Sequence, residues 1–179
     1  SATLAATGTI TVSSNISTGG GAITLNSDTD ATGGGAILVN SGAMIINLSL
    51  GSPGDTTLLR QVMQSAHDQG VLFFAAAGNE PVTTPTYPAA YPWVVAVTAG
   101  DRQGNLASYA NRGDFVDVIA PGSTLITFNG QNYVVSGTST STALTTGMAA
   151  ALKDGSNKTL AQVEAAIRAM LAPKSSAKP

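Results

Sequence analysis

The spacing of apolar and polar residues divides the chain into two parts. Over residues 1–42, apolar and polar residues alternate in short stretches that end at glycines, as in short β-strands joined by tight turns. From residue 43 onward, continuous apolar runs alternate with stretches of helical periodicity. We therefore predict a glycine-rich β-repeat segment over residues 1–42, an α/β domain with an open, largely parallel sheet over residues 43–172, and a flexible tail over residues 173–179.

The N-terminal segment contains a repeat with a period of 14 residues. Residues 18–28 read TGGGAITLNSD, residues 32–42 read TGGGAILVNSG, and a weaker copy at residues 8–14 reads GTITVSS. The alternating apolar residues of the three copies are Ile10 and Val12, Ile23 and Leu25, and Ile37 and Val39. Such repeats favour a series of hairpins or the coils of a β-solenoid, with a flexible linker as the alternative. The composition also resembles the repeats of secreted β-helical adhesins and autotransporter passengers.

Five apolar runs predict the strands of the second part. They cover residues 44–50, 71–77, 93–99, 115–120 and 131–135. The first run is apolar almost throughout, as expected for a strand that is buried on both faces of a parallel sheet. The last run ends just before Ser136 and Gly137.

A first amphipathic helix is predicted between the first two of these strands. Asp55 or Thr56 can cap it, and it runs to about Gln69, with Gly70 as a natural stop. Its apolar stripe comprises Leu58, Leu59, Val62, Met63 and Ala66.

Two further helices are predicted near the C-terminus. The first covers residues 139–152 and is apolar on nearly all sides. The second begins with a capping box formed by Thr159 and Gln162. Its apolar face comprises Leu160, Val163, Ile167 and Met170.

The charge content of the chain is low. Charged residues make up 10% of the sequence and the net charge is −2, so electrostatics give no reason to expect nucleic acid or an anionic membrane as a partner. The absence of cysteine excludes disulfides, thiolate catalysis and cysteine-based zinc sites. No apolar run reaches the roughly 18 residues of a membrane-spanning helix. A surface built from Ser, Thr, Asn and Gly favours a secreted or cell-surface protein.

Ser139 is the first candidate for chemistry. It stands at the start of a predicted helix, where free backbone N–H groups converge and the helix dipole is positive. An oxyanion that forms there is stabilised, and the nearby Gly137 lets a substrate approach the backbone closely. The alternative is an ordinary N-cap serine.

Asn79 is the second candidate. It follows the small residues 75–78 at the end of a predicted buried strand, which leaves room for the backbone of a ligand. The side-chain amide of an asparagine is a suitable N–H donor to an oxyanion. The alternative is an asparagine that simply forms a turn after glycine.

Five ordered motifs together resemble the C-terminal part of the subtilisin-like serine proteases, the subtilases. They are INLSLG at residues 46–51, AAAGNE at 75–80, YPAAYP at 87–92, VDVIAPG at 116–122 and SGTS at 136–139. The resemblance covers residues 41–171 and implies an incomplete sheet of subtilisin type. It implies that Ser139 is the nucleophile and that Asn79 is the oxyanion side chain. The substrate-binding residues that it implies are Ser49, Leu50, Gly51, Ala76, Ala77, Gly78 and Thr138.

The sequence departs from the subtilase pattern where the catalytic Asp and His are expected. The family places both upstream of the INLSLG strand, and the glycine-rich repeat occupies that space here. The single histidine, His67, lies off the apolar stripe of the first predicted helix and is expected on the surface. Ala143 also replaces the proline that the family usually has four residues after the serine. Because serine needs a neighbouring base, we expect the chain alone to be nearly inactive.

Three interpretations remain open at this stage. The chain is half of a serine endopeptidase that acts on polypeptides and is completed by a complementary chain or segment, or a non-catalytic cell-surface module, or an artificial fusion joined near residues 40–43. The strand at residues 44–50 would leave an apolar edge, which the repeat strands or a second copy of the chain would cover. No cofactor is required, and the turn with Asp28 and Asp30 is a weak calcium candidate.

Overall fold

The computed structural model describes residues 44–173 in full, and it describes the backbone of four strands before them. Those strands are β1 (Ala2–Ala6), β2 (Ile10–Val12), β3 (Ile23–Ser27) and β4 (Ile37–Val39). The later strands are β5 (Ile45–Leu48), β6 (Leu72–Ala76), β7 (Val94–Gly100), β8 (Val118–Pro121), β9 (Ser123–Phe128) and β10 (Gln131–Ser136). The helices are α1 (Thr57–Asp68), α2 (Thr138–Asp154) and α3 (Leu160–Met170). The predicted tail and the Asp28/Asp30 turn lie outside the described residues, apart from residue 173.

A six-stranded parallel sheet in the order β1-β3-β5-β6-β7-β8 forms the centre of the fold. Strands β6 and β7 are buried along their whole length, as expected for apolar runs in a parallel sheet. One apolar cluster includes Phe74, Val95 and Ile167, and a second includes Met63, Phe73 and Tyr91. The predicted α/β class is therefore confirmed.

The strands of the N-terminal repeat pair in parallel. Strand β1 pairs with β3, and β2 pairs with β4 in a separate sheet, so consecutive strands alternate between two sheets. Parallel pairing excludes hairpins between these strands, because a hairpin joins antiparallel neighbours. Strand β3 also pairs with β5, with Thr24 beside Asn47. The repeat strands therefore cover the edge of β5 that the sequence left open.

A hairpin absent from our sequence analysis precedes α2. Strand β10 covers the predicted residues 131–135, but it pairs antiparallel with β9. The two residues between them, Asn129 and Gly130, have φ values of 49° and 75°. Positive φ at both positions is what a type I′ turn requires, and Asn-Gly is its preferred sequence.

Helix α1 is less buried than its apolar stripe predicted. It ends at Asp68, and Gly70 follows with a φ of 92°, so the predicted stop is confirmed. Met63 is buried and Ala66 packs against the same cluster. The stripe prediction is wrong for the remaining residues, which are exposed: Leu58, Leu59 and Val62. His67, expected on the surface, is partly exposed.

Helix α2 presents hydroxyl groups, not an apolar surface, to the sheet. Its buried residues are Thr138, Ser141, Thr142, Thr145, Thr146 and Ala149, while Leu144 and Met148 are exposed. The prediction of a helix apolar on nearly all sides is therefore wrong. Burial of the hydroxyls is tolerated because they are hydrogen-bonded: Thr142 and Thr146, for example, donate to the carbonyl oxygens of Thr138 and Thr142 at 2.7 and 2.8 Å.

Helix α3 begins as predicted. Thr159 Oγ1 accepts from Gln162 N at 3.2 Å, and the Gln162 side chain accepts from Thr159 N at 2.9 Å, which completes the capping box. Val163 and Ile167 are buried, whereas Met170 is exposed.

Candidate active site

The candidate site lies where the carboxyl ends of β5 and β6 meet the N-terminus of α2. Because these strands are parallel, the segments that follow them, residues 49–51 and 77–80, leave the sheet at the same edge. Ser49 Oγ donates to the carbonyl oxygen of Ser139 at 3.2 Å, and Gly78 N donates to Thr138 Oγ1 at 3.2 Å. The three predicted motifs therefore converge, although they are far apart in the sequence.

Ser139 and Asn79 lie on either side of Gly137. Gly137 caps α2 with a φ of 149°. A side-chain carbon built on it would lie 3.6 Å from Asn79 Nδ2, 3.7 Å from Asn79 Oδ1 and 3.8 Å from the backbone nitrogen of Ser139. The side-chain amide of Asn79 and the backbone nitrogen of Ser139 thus border one hollow beside Gly137. Two such donors form the arrangement that stabilises an oxyanion.

The orientation of the Asn79 amide follows from its contacts with Thr138. Asn79 Oδ1 accepts from the Thr138 backbone N at 2.9 Å and from Thr138 Oγ1 at 3.1 Å. With its oxygen engaged by Thr138, the amide keeps its Nδ2 as the group that can donate to an oxyanion. Thr138 has no exposed surface, so its observed contacts position Asn79 and Gly78 from within the protein.

Ser49 belongs to a chain of polar contacts that ties β5 to α2. Asn47, which is buried in β5, donates from Nδ2 to Ser49 Oγ at 3.0 Å, and it accepts from Thr146 Oγ1 at 3.2 Å. Ser49 in turn donates to Ser139 O. This chain holds the first turn of α2 at the end of the strand. Asn47 was not among the predicted site residues, although a polar residue inside an apolar run was a visible signal.

The remaining predicted substrate-binding residues form two neighbouring segments. Leu50 and Gly51 lie between the end of β5 and Ser52, which exchanges two backbone hydrogen bonds with Tyr87 at 2.9 and 2.7 Å. A side-chain carbon on Gly51 would lie 3.6 Å from the carbonyl oxygen of Ala76, so the two segments run side by side. Ala76 and Ala77 are buried, and Gly78 is half-buried.

His67 lies near the amino-terminal ends of the strands, whereas Ser139 lies near their carboxyl ends. It stands in the last turn of α1, whose end leads into the start of β6, whereas Asn79 follows the end of β6. The two ends of β6 are roughly 17 Å apart, because the strand has five residues at about 3.3 Å each. The only histidine of the chain is therefore not the base for Ser139.

The sequence matches a known protein family over almost its whole length. The model of the family described as "Subtilase family" matches residues 3–177. The chain belongs to the subtilase family. The match extends beyond residues 41–171, which carried the resemblance in the sequence, and it includes the N-terminal repeat. The resemblance of that repeat to adhesins stays a prediction.

Related proteases each align with part of this subtilase. It is 44% identical over 114 residues to the "Thermophilic serine proteinase" of Bacillus sp. strain AK1, covering 63% of this chain and 28% of that protein. It is 43% identical over 112 residues to the "Minor extracellular protease Epr" of Bacillus subtilis strain 168, covering 61% of this chain and 17% of that protein. The chain thus spans less than a third of the length of either relative.

A solved structure shows the same fold. The prenylagaramide maturation protease PagA superposes with a TM-score of 0.64 at 27% identity, over 80% of this chain and 62% of that one. Within residues 44–173 and the four N-terminal strands, no helix is long and apolar enough to cross a membrane. The same residues contain no group of three or more His, Asp or Glu side chains arranged to hold a metal.

Proposed function

We propose that this subtilase carries the nucleophile and oxyanion half of a serine endopeptidase, and that a complementary polypeptide segment supplies the catalytic Asp and His. The observation that carries the proposal is the hollow beside Gly137, flanked by Asn79 Nδ2 and Ser139 N. The names of the related proteases support peptide-bond hydrolysis as the reaction. The word "extracellular" in the name of one relative supports secretion.

The reaction would begin with attack of Ser139 Oγ on the carbonyl carbon of a peptide bond. The supplied histidine takes the hydroxyl proton, and the carbonyl oxygen becomes an oxyanion between Asn79 Nδ2 and Ser139 N. When the C–N bond breaks, the same proton passes to the leaving amine and an acyl-enzyme remains on Ser139. Water then hydrolyses that ester by the reverse sequence of proton transfers.

The cost of the missing base is large. In subtilisin, the type case for these figures, loss of the histidine alone lowers kcat by about 10⁶-fold, and the oxyanion hole retains about 10³–10⁴-fold over water. The isolated chain is therefore expected to turn over peptides too slowly to act as a protease.

Labelling with a fluorophosphonate probe tests the proposal. We expect Ser139 to be labelled only when a polypeptide with the family's Asp and His motifs is added, and Ser139→Ala to abolish that labelling. Ser65→Ala is the matched control, because Ser65 is an exposed serine near the end of α1, the helix that leads into the start of β6, and it should label like wild type. Labelling that never rises above background with any such polypeptide would contradict the proposal.

A non-catalytic cell-surface module is the second candidate. The position of His67 across the sheet favours it, because the described part of the chain then holds a serine without a base. This function predicts that a peptide substrate neither binds nor is cut, and that Ser139→Ala changes no measurable property.

A further inference from the structure

Asn111 binds the segment of residues 77–80 both before and after Asn79. It lies in the connection between β7 and β8, it has no exposed surface, and its side chain contacts the segment twice. Its Nδ2 donates to the carbonyl oxygen of Ala77 at 2.8 Å, and its Oδ1 accepts from Glu80 N at 2.8 Å. Its backbone N also donates to Gly78 O at 3.0 Å. The three bonds bracket Asn79 on the N-terminal and C-terminal sides.

The support behind Asn111 is rigid. Thr98, a buried residue of β7, donates from its hydroxyl to the carbonyl oxygen of Asn111. Strand β7 is buried along its length and pairs on both sides, so it is a fixed reference for the loop. The contact with Gly78 is also close, because a side-chain carbon on Gly78 would collide with Asn111 Nδ2. The loop therefore has little freedom to shift relative to Asn111.

Asn79 needs this support because its own side chain is exposed. Thr138 fixes the oxygen of its amide, but the backbone position of Asn79 depends on residues 77, 78 and 80, which Asn111 binds. A donor to an oxyanion must be held within about 0.5 Å of its productive position. An asparagine whose two amide ends bond to backbone groups 34 and 31 positions away supplies that restraint.

We propose that Asn111 is a positioning residue for the oxyanion donor Asn79, a role that rests on the proposed function. Asn111→Ala would leave the N–H of Glu80 without this partner, while the carbonyl of Ala77 would keep its bond from Thr86 Oγ1. The loop would then sample positions in which Asn79 Nδ2 no longer points into the hollow. Asn111→Ala would therefore weaken oxyanion binding by displacing Asn79, and it would leave Ser139 in place.

A double-mutant cycle on binding of a peptidyl boronic acid tests this role. The boronate forms a tetrahedral adduct with Ser139 of the completed enzyme, in which the histidine of the added polypeptide takes the hydroxyl proton, and its affinity can be measured by calorimetry without turnover. We expect Asn111→Ala to weaken binding about tenfold, a smaller loss than the one caused by Asn79→Ala. In the Asn79→Ala background we expect Asn111→Ala to have almost no further effect, because residues that act through each other are not additive. A merely structural role would give additive losses.

Two further variants guard against loss of folding. Thr98→Val keeps Asn111 but removes its link to β7, and it should weaken boronate binding by about threefold with the same dependence on Asn79. Val163→Ala removes methyl groups from the core under α3, far from the loop, and should lower stability without changing boronate affinity.

The outcomes separate this inference from the proposed function. If Asn79→Ala weakens binding but Asn111→Ala is silent or additive, the positioning role is overturned and the oxyanion site stands. If Asn79→Ala leaves boronate binding unchanged, the oxyanion site itself is overturned, and the role of Asn111 falls with it. Coupled losses support both.

Discussion

The backbone N–H of Thr138 donates to the side-chain oxygen of Asn79 at 2.9 Å, across 59 positions of sequence. This bond engages the oxygen of the Asn79 amide and leaves its Nδ2 as the group that can donate to an oxyanion beside Gly137. A carboxamide that presented its oxygen there would repel an oxyanion, whereas one that presents its nitrogen attracts it.

Substitution of Asn79 should therefore lower kcat more than substitution of Thr138. In the completed enzyme we expect Asn79→Ala to lower kcat by about 10²–10³-fold, the range measured for the oxyanion asparagine of subtilisin, with KM little changed. Thr138→Val keeps the backbone N–H bond but loses the hydroxyl bonds to Asn79 and Gly78, and we expect a loss of about tenfold. Hydrolysis of a peptide p-nitroanilide measures both. A larger effect of Thr138→Val than of Asn79→Ala would show that Thr138 acts by another route.

Gly78→Ala should destabilise the fold. Gly78 has a φ of 112°, and a side-chain carbon would meet the buried side chain of Asn111. We expect the free energy of unfolding to fall by about 2–3 kcal/mol, measured by urea denaturation. Gly147→Ala is the matched control: it lies inside α2 with open space around it, so the same change should raise stability by up to about 1 kcal/mol. Equal effects at the two glycines would contradict the packing argument.

Asn47→Ala should loosen the junction between β5 and α2. The change leaves the hydroxyl of Thr146 without its bond to Asn47, and it frees Ser49, which binds Ser139 O. We expect a loss of about 1–3 kcal/mol in the free energy of unfolding. Asn157→Ala, an exposed asparagine between α2 and α3, should change it by less than about 0.5 kcal/mol. Hydrogen exchange at the amides of the first turn of α2 should rise in Asn47→Ala and stay unchanged in Asn157→Ala.

Asp101 should make a pH-dependent contribution to stability. The side-chain amide of Asn105, then its backbone N–H, and after these the backbone N–H groups of Gln103 and Gly104 hold the pKa of the Asp101 carboxyl below its usual value, against an opposing effect of desolvation. A carboxyl with a lowered folded-state pKa stabilises the fold above its unfolded pKa of about 3.9, and that contribution is lost as the pH falls through the folded value. Asn105→Ala should raise the pKa of Asp101 in a ¹³C-detected NMR titration. An unchanged titration curve would show that the side chain of Asn105 does not lower the pKa of Asp101.

The sequence predicted the elements whose signals are local. Strands β6 and β7 are continuous apolar runs with no competing pattern, and the capping box of α3 is set by two residues three positions apart. Ser139 and Asn79 were found because each stands in a motif at the end of an element. The Asn-Gly turn between β9 and β10 was equally local, and it could have been found from the same kind of evidence.

The parts that the sequence did not predict depend on distant partners. Asn111 is one asparagine among many until folding places it against residues 77–80. The stripe on α1 has helical spacing, but spacing cannot show whether a neighbouring element covers Leu58 and Val62. The buried face of α2 is formed by Thr and Ser because their hydroxyls bond to the helix itself, so helical periodicity of apolar residues was the wrong guide there.

The pairing of β3 with β5 restricts how any completing polypeptide can arrive. Both backbone edges of β5 are already occupied, on one side by β3 and on the other by β6. An incoming segment cannot insert beside β5 as an additional strand without displacing the chain's own repeat. We therefore expect it to reach Ser139 at the carboxyl ends of β5 and β6, where the first turn of α2 lies, and not as a strand added beside β5.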